Sequence, residues 1–257
     1  MSPGTDRSPV VPALRSARAV VLDTDGVLTD SARVHAATWK AAFDAYLSGL
    51  PPTAADASAR RPFDAAGEYR RYVDGRPRLD GAAAFLAARG LPADPAAVEA
   101  VAADKERRFT RWLRERPVDA YPGSVRLLRA LRAAGVPVAA ASASRHAREL
   151  LERSGLLGLL DALVDGVEAA RLGLPGKPDP ALFLEAARRL GVPAGRCALV
   201  EDALAGVEAG RRGGFAPVVG VDRAAGPGTA DALLHHGADL VVADVAELLA
   251  GPEGRPS

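Results

Sequence analysis

A chain of 257 residues is long enough to bury a full core, as one large domain or a domain with an insertion, and its formal net charge of +1 advertises no surface for nucleic acid. With 48% hydrophobic and 25% charged residues it has the proportions of an ordinary soluble globular protein, and no apolar run approaches a membrane span. One cysteine, Cys197, excludes an intrachain disulfide, fits a reducing compartment and reads as a small buried hydrophobe in the apolar run CALV.

The chain opens on MSPGTDRSPVVPALR, rich in Pro, Ser and Gly, without the continuous apolar core of a signal peptide. Residues 1–16 therefore read as a disordered tail, and the protein is expected to be cytoplasmic. Next comes VVLDTDGVLTD. Val20, Val21 and Leu22 form a short buried strand, and Asp23 and Asp25 follow on one side of it, since side chains alternate with period two. Two carboxylates on one face repel each other unless a cation sits between them. From Ser31, a candidate N-cap, the pattern turns helical through Val34, Trp39, Phe43 and Leu47. A Pro/Ala/Ser-rich loop, SGLPPTAADASARRP, follows, and residues 64–116 read as helices broken by DGRPRLDG and ARGLPADP.

From residue 118 onward apolar strands alternate with amphipathic helices. VRLLRALRAAG is a helix ended by glycine, VPVAAAS a strand, RHARELLERSG a helix and ALVDGV a short strand. PALFLEAARRLG, CALVED, ALAGVEAGRRGG and APVVGV continue the alternation, and ADLVVADVAELL gives a last strand and a final helix. This is the pattern of an α/β fold, a doubly wound parallel sheet covered on both faces, with residues 31–117 inserted as a helical domain between 17–30 and 118–257.

In such sheets ligands bind at the carboxyl ends of the strands. Asp23 and Asp25 lie at the first such end, Ser142 followed by Ala143, Ser144 and Arg145 at the second, Lys177 before a helix, and Glu201 and Asp202 at the end of CALVED. Each alone has a plainer reading: a solvated lysine, an N-cap serine, a polar strand end. Together they form a set suited to phosphoryl transfer. Carboxylates suit a hard cation such as Mg²⁺, a hydroxyl and backbone N–H groups suit phosphate oxygens, and a lysine offsets charge beside a carboxylate nucleophile. Only three basic residues are lysine (Lys40, Lys105 and Lys177), so a compact point charge is retained at few places.

The motifs DTDGVLTD, ASAS, GKPDP and VEDALAGVEAG resemble those of the haloacid dehalogenase-like phosphatase superfamily, and DGVLTDSARVHAATWKAAF, VDGRPRLDG and YPGSVRLLRALRAAG resemble its β-phosphoglucomutase-like group. The resemblance covers residues 18 to 250. It implies an aspartyl-phosphate on Asp23, which also binds Mg²⁺, with Asp25 as general acid/base and main-chain metal ligand. Ser142 and Lys177 would hold the transferring phosphoryl group, Asp202 would complete the metal site and Glu201 would support it. The helical insertion resembles the family's cap. There Ser31, His35 and Trp39 match hinge and substrate-facing positions, Gly75, Arg76 and Arg78 a substrate loop, and Lys105 a substrate-facing lysine. Asp74 stands where the family often has lysine, and Thr24 where the mutases have an aliphatic residue.

The expectation is a Mg²⁺-dependent phosphomutase that converts β-glucose 1-phosphate to glucose 6-phosphate through a sugar bisphosphate, acting as a monomer without nucleic-acid or membrane partners. A sugar-phosphate phosphatase would use the same residues, and a non-catalytic sugar-phosphate sensor would not need the nucleophile. No G-x-G-x-x-G follows the first strand, which argues against dinucleotide binding.

Overall fold

The computed structural model describes residues 10–11, 14–51, 56, 58–223, 225–226 and 228–249. Six parallel strands run in the order β3-β2-β1-β4-β5-β6. They are β1 Ala19–Leu22, β2 Val138–Ala141, β3 Ala162–Val164, β4 Cys197–Glu201, β5 Val218–Val221 and β6 Leu240–Val242. The order reverses between β1 and β4, where Leu22 pairs with Val200, so a crevice opens beyond the ends of those two strands.

Alternation along the strands separates two apolar layers. Val20, Leu22, Val138 and Ala140 pack with Leu127 and Leu128 of α4 (Pro122–Ala133). Ala19, Val21, Ala139 and Ala141 pack with Leu182 and Phe183 of α7 (Ala181–Leu190), and with Phe215. Cys197 belongs to this second layer and is fully buried.

The long connection from β1 to β2 carries α1 (Ala32–Gly49), a π-helical turn at Tyr69–Val73, α2 (Arg78–Ala88) and α3 (Pro95–Glu115). Asp94 begins α3 by accepting from the N–H groups of Ala96 and Ala97 at 3.0 Å each, with Pro95 at the first helical position. These helices have an apolar core of their own, in which the rings of Trp39, Phe43, Phe63 and Phe85 pack in series. Beneath it Arg89 joins Glu68 through two hydrogen bonds of 2.6 Å and caps the carbonyls of Ala59 and Arg61. A smaller cluster of Phe109, Leu113, Val118 and Leu150 lies where α3 meets α5 (Ala147–Arg153).

Several expectations change. Val10 and Leu14 are buried, and the Val11 N–H donates to the Leu248 carbonyl at 2.9 Å, so this part of the 1–16 segment packs on the last turn of the chain. Val10, Val11 and Leu14 supply that anchor; positions 1–9 and 12–13 lie outside the described residues, as do 52–55 and 57 of the expected loop. The break at DGRPRLDG is confined to 74–77, because Arg78 already begins α2. The final helix after β6 is only a 3-10 turn, Val245–Leu248, closed by a reciprocal Asp244–Glu247 capping box. Two short helices escape a reading based on periodicity: α6 (Gly166–Leu172), capped by Asp165 and stopped by left-handed Gly173, and α9 (Thr229–His235). Between them lie α7, already given, and α8 (Leu204–Arg212). Among the described residues no helix is long and apolar enough to cross a membrane.

Candidate active site

The sheet fixes Asp23 directly: its N–H still donates to the Val200 carbonyl at 2.9 Å, one residue beyond the end of β1. The chain then turns sharply. Leu28 and Thr29 both donate to the Thr24 carbonyl at 2.9 Å, and Gly26 takes φ +80. A Cβ on Gly26 would stand 1.8 Å from Asp202 Oδ2, so only glycine admits both the turn and the carboxylate beside it. Arg223 clamps the same turn, donating to the carbonyls of Gly26 at 2.6 Å and Val27 at 3.1 Å while stacking on Tyr121.

Lys177 sits 2.6 Å from Asp23 Oδ1 and 2.6 Å from Glu201 Oε1, with 1% of its side chain exposed. Burial opposes its charge, but the two carboxylates hold it protonated above the ordinary lysine range. Asp23 is pushed up to about 8, burial outweighing the pull of Lys177, while Glu201 and Asp25 add repulsion. Asp202 is raised well above the ordinary aspartate value by burial and then by Glu201 and Asp74.

Asp25 faces different surroundings. Ser31 Oγ donates to its Oδ1 at 2.5 Å and Ser142 Oγ to its Oδ2 at 3.3 Å. His35 Nε2 is 3.2 Å from Oδ1, close enough for strong attraction although poorly aligned as a hydrogen bond. Burial opposes ionisation here too, yet His35, Ser31 and Lys105 hold the carboxyl well below the usual range. His35 stacks on Phe109 and meets Lys105 Nζ at 3.0 Å through Nδ1; burial, then Lys105, lowers its pKa. Two carboxylates only two positions apart thus experience opposite pulls, a recurring basis for dividing roles between paired acids.

These groups line a cavity of about 280 Å³ at the strand ends, the scale of a small-molecule site. Asp23, Asp25, Ser142, Ala143, Ser144, Arg145, Lys177, Glu201 and Asp202 face it from the sheet side. His35, Trp39, Gly75, Arg76, Arg78 and Lys105 face it from the helical insertion. Trp39 is 5% exposed and serves the apolar core as well as the cavity wall. Ser31 stands apart. It occupies the N-cap position of α1 but makes no capping bond; fully buried, it reaches the cavity only through Asp25.

The cavity also holds residues that sequence reasoning left without a role: Tyr69, Asp74, Glu106 and His146. Asp74, raised to about 7 by burial and the nearby Glu201, is hydrogen-bonded by Tyr69. Its place in the loop VDGRPR was visible, but its approach to Glu201 depends on how that loop folds over β4. Arg223 had no signal in sequence, lying in an unremarkable loop far along the chain.

Asp23, Glu201 and Asp202 each offer a carboxylate oxygen, all within 4.8 Å of one another. Lys177 meets Asp23 and Glu201 but is not paired with Asp202, so the three carboxyls ionised together would carry more negative charge than it offsets, which is why burial raises Asp23 and Asp202. An all-oxygen donor set of this charge fits a hard divalent cation such as Mg²⁺.

Comparison with known proteins follows the same line. A family model described as haloacid dehalogenase-like hydrolase matches residues 17–214. The beta-phosphoglucomutase of Mycobacterium tuberculosis (strain CDC 1551 / Oshkosh) is 43% identical over 252 residues, spanning 95% of this chain and 95% of its own. That of Bacillus subtilis (strain 168) is 31% identical over 239 residues, 90% of this chain and 91% of its own. A crystal structure of a HAD family hydrolase from Deinococcus radiodurans R1, with bound phosphate and sodium, aligns at TM-score 0.61 and 31% identity, over 91% of this chain and 93% of that one.

Proposed function

Since the chain belongs to the haloacid dehalogenase-like hydrolase family, we propose that it is a Mg²⁺-dependent phosphomutase that interconverts β-glucose 1-phosphate and glucose 6-phosphate, working in the cytoplasm as a monomer. The observation that carries this reading is the division between Asp23, held by Lys177, and Asp25, held by Ser31 and His35. The mutase names of the two bacterial relatives support the substrate.

In this reading Asp23 carries a phosphoryl group, and between turnovers Lys177 draws its carboxyl toward the ionised form against the opposing effect of burial. Asp25 takes the proton from a sugar hydroxyl as that oxygen attacks phosphorus, and the Asp23–phosphorus bond breaks. The bisphosphate then turns over and its other phosphate is transferred back to Asp23, while Asp25 returns the proton to the leaving sugar oxygen. Ser142 and the backbone N–H groups behind it hold the phosphoryl oxygens. Asp23, Asp202 and the Asp25 carbonyl, with Glu201 in support, would hold Mg²⁺, and a cation there would offset phosphate charge. The helical insertion 31–117 acts as a cap on the core formed by 17–30 and 118–257, excluding water so that a sugar hydroxyl wins the phosphoryl group. Arg78 and Lys105, with Arg76 and Gly75 beside them, hold the phosphate that is not reacting.

Substitution separates the roles. Asp23→Asn should lose all turnover, whereas Asp25→Asn should lose the mutase reaction yet still be slowly phosphorylated by acetyl phosphate. Normal mutase rates in Asp25→Asn would show that the proton is handled elsewhere.

A further inference from the structure

Glu106 projects from α3 into the cavity and meets the core across it. Its Oε1 accepts from His146 Nε2 at 2.7 Å, and both residues line the cavity wall. That hydrogen bond, and behind it Lys105 and Arg78 of the insertion, hold Glu106 down to about 2 against the opposing effect of burial. Among the described residues Lys105 otherwise meets His35 at 3.0 Å and the rings of Phe109 and Trp39, with the charge of Asp25 acting from farther off. Arg78 donates to the Ala102 carbonyl at 3.0 Å, and its nearest carboxylate contact is Glu99, 3.9 Å away on the exposed side. One end of the cavity therefore gathers Arg78, Lys105 and His146 around half-buried Glu106, while the exposed Glu149 stands 4.0 Å from the other ring nitrogen of His146.

We propose that Glu106 is a displaceable counter-anion, occupying the cationic end of the cavity until a phosphate group of the substrate takes its place on His146. The inference rests on the reading of the substrate as a phosphorylated sugar. A phosphate and a carboxylate at the same cations repel each other, so the arriving group must break the charged hydrogen bond to His146 and turn Glu106 outward. That bond also joins α3 to the start of α5, so phosphate arrival and the loosening of this contact are one event. Glu106 is thus a specificity-determining residue. It discriminates against ligands whose charge is too weak to displace it, and it moderates affinity for the sugar bisphosphate.

Calorimetric titration in an Asp23→Asn background, where nothing turns over, tests this with glucose 6-phosphate, ribose 5-phosphate, glycerol 3-phosphate and uncharged glucose. Adding Glu106→Gln should tighten glucose 6-phosphate about tenfold. Glucose should be unaffected, Glu106→Asp should stay near the background, and Glu106→Ala should shift in the same direction as Glu106→Gln if the glutamine variant proves unstable. If glucose 6-phosphate binds none of the proteins, the hexose reading fails, but a tenfold gain with either other ester still supports the counter-anion. Unchanged or weaker binding of every phosphate ester in both neutral variants would overturn it, and equal tightening of glucose would as well.

Discussion

Lys177→Met removes the cation that pairs with Asp23 and Glu201 while nearly preserving side-chain volume, and its consequences follow from the geometry. Both ion pairs are 2.6 Å long and the lysine is 1% exposed, so the carboxylates left behind are unpaired in a poorly solvated site. Losing one partner of a buried pair costs about 3–5 kcal/mol. At about 2–4 °C per kcal/mol for a domain of this size, the midpoint of thermal unfolding should fall by about 6–20 °C in metal-free buffer near pH 8. Burial pushes Asp23 up to about 8 in the folded chain, against an ordinary 3.8. The folded state therefore binds the extra proton, and its stability falls as pH rises from about 4 to 8. Without Lys177 that fall must steepen, so the gap between parent and variant should be small near pH 4 and widest near pH 8. Saturating Mg²⁺ should recover more stability in the variant than in the parent, because it binds the folded cluster. Circular dichroism melts at three pH values, with and without Mg²⁺, measure all of this. A variant melting within about 3 °C of the parent at pH 8 without metal, against the ion-pair loss expected for a buried site, would refute the electrostatic account.

Other perturbations probe other parts. Gly26→Ala should lower kcat by about a hundredfold and cost about 1–3 kcal/mol of stability, since a Cβ there displaces Asp202 and strains the turn; steady-state kinetics beside a melting curve separates the two effects. Burial lowers Lys105 to about 8, so with Mg²⁺ saturating, kcat/KM for a sugar phosphate should fall above about pH 8 as this cation discharges. Lys105→Arg should push that alkaline limb upward, and an unmoved limb would assign it to another group. Arg89→Met should destabilise the helical insertion by about 1.5–3 kcal/mol, because Glu68 loses two charged hydrogen bonds and keeps the exposed Arg61 at 2.9 Å and the Asp64 N–H. Urea unfolding followed by tryptophan fluorescence reads this, as Trp39 and Trp112 both lie in the insertion.

Strands and site motifs were legible because their signals are local. An apolar run such as CALVED announces both a strand and the acids at its end, and the parallel order follows from strands alternating with helices. Asp23, Ser142 and Glu201 come together because the sheet brings strand ends together, which needs no knowledge of side-chain geometry, and Lys177 joins them from the loop before α7. What stayed hidden depends on tertiary approach. Val10 and Leu14 looked like tail residues until the last turn of the chain supplied a partner. The α6 helix is too short for periodicity to reveal, though Asp165 and Gly173 bracket it as cap and stop. Ser31 resembled a cap because caps and hydrogen-bond donors to a buried acid are drawn from the same residue types. Arg223 and Glu106 act across distances of many residues, the one on the Gly26 carbonyl and the other on His146, and nothing in their own segments points to those partners.

The claim that the insertion steers phosphoryl transfer to a sugar rather than to water is tested by supplying Mg²⁺, β-glucose 1-phosphate and a trace of glucose 1,6-bisphosphate, and following glucose 6-phosphate and free phosphate in one reaction. Glucose 6-phosphate should form far faster than free phosphate, and Asp23→Asn should form neither. Free phosphate released as the main product would contradict the account and make this chain a sugar-phosphate phosphatase.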